Sequence, residues 1–191
     1  LKARATREKI LNAVVILINE SGDSSASSTA IAKKAGITWG AVQHHFGNKE
    51  EILVAVMEMA RDVYIQSLDQ AEINKGTIEE RVSHFVDLVW EHYKSDLYFA
   101  FSEIVMATRG TNSNLPLRQI RVNNGLDEHL KRMVDIFEGY DVSQDRLNEV
   151  LRYTHRFLGG FAIDRILEPG MPFEDLHIQR VKDQLLAIIH H

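Results

Sequence analysis

The sequence predicts an all-α protein of about nine helices. Apolar residues recur every three to four positions over long stretches, and short polar or glycine-containing breaks separate these stretches. Only 3 prolines occur in 191 residues, and no segment shows the alternating apolar and polar pattern of a half-buried β-strand. The helices therefore have to pack against one another to form the core.

The composition favours a globular protein and excludes several kinds of chemistry. Hydrophobic residues make up 45% of the chain and charged residues 26%, which is typical of folded domains. The absence of cysteine excludes disulfides, thiolate nucleophiles and cysteine-ligated metals. No apolar run approaches the roughly 20 residues that cross a bilayer, and the N-terminus does not resemble a secretory signal. We therefore expect a cytoplasmic protein with no membrane partner.

Three short helices are predicted at the N-terminal end. Ser27 and Thr38 are suitable N-caps for the second and third of them, because a hydroxyl can accept the free N–H groups of the first turn. Gly36 ends the second helix, since glycine readily adopts the left-handed conformation of a tight turn. The predicted helices span residues 6–20, 28–35 and 39–46.

Six further helices follow. Thr77 and Glu80 have the spacing of a capping box, and Asn48 with Glu51 comes close to one. Proline suits the first turn of a helix because it lacks the N–H that would be unsatisfied there. The expected starts of these helices are near Lys49, Thr77, Asp96, Pro116, Ser143 and Phe173.

Charge is distributed unevenly along the chain. Residues 1–49 carry seven basic and three acidic side chains, a net charge of +4, whereas the remainder carries 15 basic and 24 acidic side chains, a net charge of −9. Such asymmetry suggests that the N-terminal segment meets a polyanion. Ordinary solvated charge on both parts explains the same numbers, so charge alone leaves the choice open.

The basic segment has the pattern of a helix-turn-helix, in which a tight glycine turn joins the second helix to a recognition helix. Val42 and Phe46 lie one turn apart on the third helix and are expected to face the core. A glutamine on the opposite face can pair with adenine in the major groove, and a glycine lets the helix approach DNA closely. The residues predicted to face outward are Trp39, Gly40, Gln43 and His44.

Residues Thr6 to Leu53, about a quarter of the chain, also contain an ordered set of short motifs: Thr6, Ile10-Leu11, Ile31-Ala32, Ala35-Gly36-Ile37-Thr38, Gly40, His45-Phe46 and Lys49-Glu50. In order and spacing they resemble the N-terminal DNA-binding domain of the TetR family of bacterial transcriptional regulators. The resemblance implies that Ser27, Thr38 and Lys49 contact DNA phosphates. Gln43 stands where the family usually has a tyrosine that contacts the backbone, so its role as base reader or phosphate contact stays open. Ala30 stands where an acidic residue is common.

The resemblance further implies a domain organisation and a function. Residues 1–49 are expected to form the helix-turn-helix domain and residues 50–191 a helical domain for effector binding and dimerisation, with a connecting helix from 49 to about 71. The expected function is a homodimeric, ligand-responsive regulator, most simply a repressor, that binds a palindromic operator in double-stranded DNA.

An all-α lyase or hydrolase with a pocket between helices is the alternative. The sequence has no H-E-x-x-H motif, glycine-rich phosphate loop, nucleophile elbow or pattern of paired catalytic carboxylates. His84 and His92 are two helical turns, about 12 Å, apart. We therefore expect no catalytic residues, no metal site and no cofactor.

Aromatic residues concentrate in residues 85–101. Side chains that combine a flat apolar face with a polar tip often line cavities for small organic ligands, although core packing explains the same residues. The family resemblance places an effector site among the helices that follow the DNA-binding domain. The candidate lining residues are Met57, Trp90, Tyr93, Tyr98, Phe101 and Asn123.

The last two helices are the candidate dimer interface. Gly159-Gly160 in the middle of a helix costs about 1 kcal/mol per glycine relative to alanine, so a close helix approach is expected to compensate for it. In the TetR-like arrangement these two helices pair with their copies about a twofold axis. Packing of the glycines within one chain is the alternative.

Overall fold

The structure, a computed structural model, describes residues 2–108, 126–168 and 170–190. Within these ranges it contains α-helices and a short 3₁₀ turn at Asp23–Ser25, which confirms the all-α prediction. No helix in the described ranges is long and apolar enough to span a membrane. The helices are α1 Lys2–Ser21, α2 Ser28–Ala35, α3 Trp39–Phe46, α4 Lys49–Gln70, α5 Ile78–Tyr93, α6 Asp96–Ala107, α7 Leu126–Ile136, α8 Gln144–Leu167 and α9 Glu174–His190.

Most helix boundaries agree with the sequence prediction, and the start of α1 differs from it. Helix α1 begins at Lys2 rather than Thr6, and an Arg4–Glu8 ion pair of 2.9 Å spans its first turns. The predicted helix start at Pro116 lies outside the described residues, and α7 covers only the later part of that predicted helix.

The predicted caps are present. The capping box of α5 is complete, since the Thr77 hydroxyl accepts the Glu80 N–H and the Glu80 carboxylate accepts the Thr77 N–H. At the start of α4, the Asn48 side chain accepts the N–H of Glu51 at 2.9 Å and donates to the Glu51 carboxylate at 3.0 Å. These bonds satisfy N–H groups that a helix start leaves free.

The chain divides into two compact units. The first contains residues 2–63 and 95–108 and includes α1, α2, α3, the first part of α4, and α6. Helix α1 packs against α2, α3 and α6. The core of the first unit is a cluster of buried apolar side chains that includes Ile10, Val14, Ile18, Ile31, Val42, Phe46, Ile52, Val56 and Met57.

The second unit contains residues 64–94, 126–168 and 170–190. Helices α5, α8 and α9 pack against one another, and α7 packs against α8. The most deeply buried large side chains of this unit are Phe85, Met133, Leu151, Leu158 and Leu185.

The boundary between the two units along the chain falls within α4, between residues 63 and 64. The first turns of α4 belong to the first core because they bury Ile52, Val56 and Met57 in it, whereas Tyr64 and Leu68 belong to the second unit. This packing boundary differs from the expected functional boundary at residues 49–50, which stays a prediction.

The turn between α2 and α3 provides a test of the fold. Gly36 has a φ of 63°, in the left-handed region, so Gly36→Ala should lower the free energy of unfolding by about 1 kcal/mol. Gly40→Ala is the matched control, because the added Cβ would lie 4.0 Å from the Thr38 hydroxyl and the helical backbone accepts alanine. Urea denaturation should show no loss of stability for Gly40→Ala; equal losses in both variants would contradict the assignment.

Candidate functional site

Helix α3 exposes one face because its other face is buried. Val42 is 0% exposed and Phe46 4% exposed, and both belong to the core cluster of the first unit. The helical repeat then directs Gly40, Gln43 and His44 to solvent, where all three are exposed. We refer to these exposed positions, together with Ser27, Thr38 and Lys49, as the basic-segment face.

The position of the Trp39 side chain differs from the predicted outward orientation. Its ring is partly buried and packs against the core cluster of the first unit. A side chain in a helix leans toward the N-terminal end, and Trp39 is the first residue of α3, so its ring covers the apolar surface beneath the turn. Trp39 therefore helps to hold α3 in place.

Two hydroxyls stand at helix starts on this face. The side-chain oxygens of Ser27 and Thr38 accept the N–H groups of Ala30 and Ala41, at 3.3 and 3.2 Å. Both residues are exposed, and each hydroxyl can still donate a hydrogen bond. The partial positive charge of a helix N-terminus adds to the suitability of these positions for a phosphate.

The basic side chains of the first unit have different surroundings. Lys49 is the first residue of α4 and, like Lys33, forms no ion pair within the described part of the chain. Lys34 pairs with Glu20 at 2.7 Å. The basic segment therefore keeps cations that its own carboxylates do not neutralise.

Arg7 is a structural support that sequence reasoning did not identify. Its guanidinium donates to the backbone carbonyl of His45 at 2.5 Å and lies 4.0 Å from the centroid of the Phe46 ring. These contacts fix the C-terminal end of α3 against α1. The partners are 38 residues apart, so no local pattern could reveal them.

The predicted effector residues fall into both compact units. Met57 is fully buried in the core cluster of the first unit, and Phe101 packs against that cluster and stacks on Tyr98 with a centroid distance of 5.9 Å. Trp90 and Tyr93 belong to the second unit. Asn123 lies outside the described residues.

Trp90 is engaged by side chains of its own unit. It is 4% exposed, and its indole N–H donates to the Glu174 carboxylate at 2.9 Å. Its ring lies 5.1 Å from that of Phe161. The indole N–H of Trp90 is therefore paired with a carboxylate, and its apolar face contacts another aromatic ring.

A cluster of tyrosine and histidine rings in the second unit was not predicted. Ring centroids of Tyr64 lie 4.8 Å from His129 and 5.1 Å from His92, and those of His129 and His155 are 5.3 Å apart. The Tyr93 hydroxyl hydrogen-bonds to Nδ1 of His155. We call these five residues, Tyr64, His92, Tyr93, His129 and His155, the polar cluster.

Burial changes the acid–base behaviour of the polar cluster. Desolvation raises the pKa of the Tyr64 hydroxyl above its usual value. Desolvation, with repulsion from His129, lowers the pKa of His92 to about 4. Desolvation, with repulsion from His129 and His92, lowers the pKa of His155 to about 3. Both histidines are therefore neutral at physiological pH.

The polar cluster does not have the geometry of a metal centre. In the described part of the chain, no group of three or more His, Asp or Glu side chains could hold a metal ion. Its tyrosine and histidine rings instead pack on one another. Its chemistry is that of hydrogen bonding by neutral groups.

The sequence model described as "Bacterial regulatory proteins, tetR family" matches residues 10–56. This segment contains all of α2 and α3 and every residue of the basic-segment face. Residues 10–56 therefore form a domain similar to the DNA-binding domain of the TetR family.

Two curated relatives are regulators by name. The chain is 29% identical over 136 residues to the fatty acid metabolism regulator protein of Bacillus subtilis, covering 69% of this chain and 63% of that protein. It is 33% identical over 102 residues to the HTH-type transcriptional regulator UidR of Escherichia coli, covering 53% of this chain and 48% of UidR. The matches thus span about half to three fifths of the relatives' lengths.

Solved structures share the fold over nearly the whole chain. A transcriptional regulator from Rhodococcus superposes with a TM-score of 0.74 at 21% identity, covering 96% of this chain and 95% of that one. The regulator FadR from Bacillus subtilis, solved in complex with stearoyl-CoA, gives a TM-score of 0.70 at 21% identity and covers 96% and 99%. At 21% sequence identity, the similarity shows a shared fold.

The half-buried histidines His92 and His155 predict a loss of stability in acid. Their pKa values of about 4 and 3 in the folded state lie below the ordinary 6.5, so the unfolded chain binds more protons as pH falls below 6.5. The free energy of unfolding should therefore have its full value above pH 6.5. It should fall by about 1 kcal/mol per histidine between pH 6 and 5.

Urea denaturation at pH 7, 6 and 5 measures this effect. His155→Gln should flatten the dependence of the unfolding free energy on pH. His84→Gln is the control because His84 is an exposed histidine of the same unit. An unchanged pH slope in His155→Gln would show that His155 does not titrate as described.

Proposed function

We propose that this protein is a DNA-binding transcriptional regulator that acts as a homodimer on a palindromic operator and responds to a small organic effector. The observation that carries the proposal is the orientation of α3, whose buried Val42 and Phe46 leave Gly40, Gln43 and His44 exposed in a basic segment. Similarity to the TetR family, matched over this same segment, supports it. The names of two relatives, a fatty acid metabolism regulator protein and an HTH-type transcriptional regulator, support it further.

In this proposal α3 enters the major groove. Gly40 carries no side chain, which allows close approach of the helix, and its surroundings are open. The Gln43 amide can form two hydrogen bonds to adenine or one to the backbone, and His44 adds a second polar group on the same face. Ser27, Thr38 and Lys49 bind phosphates on either side and fix the register of the helix.

Phosphate binding by Lys49 can be tested directly. Lys49→Ala should weaken binding to every DNA sequence and reduce the slope of log affinity against log salt by about one, because one fewer counterion is released. Lys75→Ala is the control, since Lys75 is an exposed lysine of the second unit that pairs with Glu72. Fluorescence anisotropy at several salt concentrations measures both quantities. An unchanged salt slope in Lys49→Ala would remove Lys49 from the interface.

Selection of bound sequences from a random DNA pool tests the palindrome and supplies the DNA for the next measurement. Gln43→Ala should lose about 1–3 kcal/mol of binding free energy at selected sites and much less on random DNA if Gln43 reads a base. Equal losses on both kinds of DNA would assign Gln43 to the backbone. Absence of any selected sequence would contradict the proposed function.

The surfaces of α8 and α9 support homodimerisation. Large apolar side chains are exposed on and between these helices, and Leu167 at 77% is the most exposed of them. A groove of about 860 Å³ is lined by Phe157 and His177 among other residues of the same two helices and the segment between them. Such contiguous apolar exposure is typical of surfaces that a partner covers. The exposed apolar residues are Phe157, Ile163, Ile166, Leu167, Phe173 and Leu176.

Gly160 supports the same surface. A Cβ added at Gly160 would meet no atom within 4 Å in the described part of the chain. Packing within one chain therefore gives no reason for a glycine at this helical position, which favours the close approach of a second helix over the intramolecular alternative.

Gly160→Leu should shift the protein toward the monomer in sedimentation velocity, because the side chain would occupy the space of the partner helix. Gln66→Leu adds similar apolar bulk at an exposed position of α4 and should leave the dimer intact. Dimers of equal stability in both variants would exclude Gly160 from the interface.

Effector response requires a ligand with different affinities for two conformations of the protein. Helix α4 contributes residues to both compact units, which suits it to couple effector binding to the position of α3. The stearoyl-CoA complex of a protein with the same fold supports a small organic effector. Of the predicted lining residues, Met57, Tyr98 and Phe101 lie in the first unit and Trp90 and Tyr93 in the second.

A further inference from the structure

Two members of the polar cluster, Tyr64 and His155, each have a buried polar atom that no described residue pairs with. In the described part of the chain, the Tyr64 hydroxyl and the Nε2 atom of His155 are shielded from solvent and have no partner. Tyr64 is 3% exposed as a residue, and its ring centroid lies 5.9 Å from that of His155. Buried polar groups are normally paired, so two such atoms on neighbouring rings indicate a place for a further hydrogen-bonding group.

The hydrogen bond between Tyr93 and His155 determines which ring nitrogen of His155 carries the proton. A phenol is a stronger donor than a neutral imidazole N–H, and an imidazole nitrogen is a stronger acceptor than a phenol oxygen. The Tyr93 hydroxyl therefore donates to Nδ1 of His155, and this places the ring proton on Nε2. Tyr64 and His155 then present two hydrogen-bond donors.

We propose that Tyr64 and His155 bind the carboxylate of the effector, and that the effector is an organic acid with an apolar body. This inference rests on the effector response in the proposed function. Two donors suit the oxygens of a carboxylate, which accept hydrogen bonds and cannot donate them.

The rest of the second unit suits an apolar body. Thr154 is its one polar residue that is buried outside the polar cluster within the described ranges, and its hydroxyl donates to the Val150 carbonyl at 2.8 Å. The remaining buried side chains on the helices that carry the cluster are apolar, and include Leu68, Val82, Phe85, Val86, Val89, Met133, Ile136, Leu147, Val150, Leu151 and Leu158.

Binding of an acid here should take up protons. The titratable groups that form the cluster are Tyr64 from α4, His92 and Tyr93 from α5, His129 from α7 and His155 from α8. Burial and mutual repulsion keep His92 and His155 neutral. A bound carboxylate favours the charged form of a neighbouring histidine. Affinity for the acid should therefore rise as pH falls from 8 to 6.

Calorimetric titration with two acids, decanoate and 2-naphthoate, and with their methyl esters tests the proposal. The wild-type protein should bind at least one of the acids, at least tenfold more tightly than its ester. A fall of one pH unit should raise the affinity for that acid by up to tenfold when one proton is taken up. Tyr64→Phe should weaken that acid by about 10- to 100-fold, as expected for loss of a hydrogen bond to a charged group. His155→Gln should abolish most of the pH dependence.

Matched controls separate binding from folding. Tyr140→Phe and His84→Gln change the same residue types at exposed positions of the second unit and should bind the acid like the wild type. Tyr64→Phe removes a buried hydroxyl without a partner, so its melting temperature without ligand should rise by about 2–4 °C. A weaker acid complex in a more stable protein cannot be attributed to misfolding.

Several results would overturn the inference. It fails if neither acid binds the wild-type protein, if the esters bind as tightly as the acids, or if Tyr64→Phe binds like the wild type, as it would if the hydroxyl held only a water molecule. DNA binding by the ligand-free protein is measured in parallel on a selected operator. This measurement distinguishes failure of the acid site from failure of the proposed function. Intact DNA binding with no acid binding contradicts the acid site alone, whereas absence of sequence-specific DNA binding contradicts the proposed function.

Discussion

The burial of one side of α3 is the constraint on which the N-terminal unit depends. Val42 and Phe46 must enter the core formed with α1, α2 and the start of α4. Because an α-helix repeats every 3.6 residues, that requirement leaves Gly40, Gln43 and His44 on the opposite side. The same packing that stabilises the unit therefore presents the polar face to solvent, and the two properties cannot change independently.

Contacts around α3 make this orientation rigid. Arg7 holds the His45 carbonyl and stacks on Phe46 at the C-terminal end, while the partly buried Trp39 covers the core at the N-terminal end. The Thr38 cap fixes the start of the helix. A reading helix needs such fixed ends, because its hydrogen bonds to base edges are sensitive to small displacements.

The second unit has a different physical character. It includes the polar cluster, in which Tyr64 and His155 each have a buried atom that no other described residue pairs with. An unpaired buried polar group costs stability, so this arrangement is costly in the ligand-free protein unless a ligand pairs with it. Its outer surface on α8 and α9 exposes large apolar side chains such as Phe157 and Leu167. The first feature supports the proposed effector, and the second supports the proposed homodimer.

The sequence by itself determined the helices and the face of α3. Helical periodicity, hydroxyl caps at Ser27, Thr38 and Thr77, and the positive φ of Gly36 act over a few residues, so local patterns were sufficient to predict them. The orientation of Val42 and Phe46 followed from the same periodicity. The exposure of Trp39 did not, because it depends on how its ring meets neighbouring helices.

Only the tertiary structure decided which distant side chains come together. The polar cluster draws its five rings from α4, α5, α7 and α8, which are separated by long stretches of sequence. Tyr64 occupies an apolar position of a helical pattern, and the sequence gives no sign that His155 lies beside it. Helix packing also assigned Met57 and Phe101 to the first unit and Trp90 and Tyr93 to the second, a division that the sequence pattern does not indicate. Local periodicity specifies which face of a helix is buried, whereas the partner of that face depends on the packing of the whole unit.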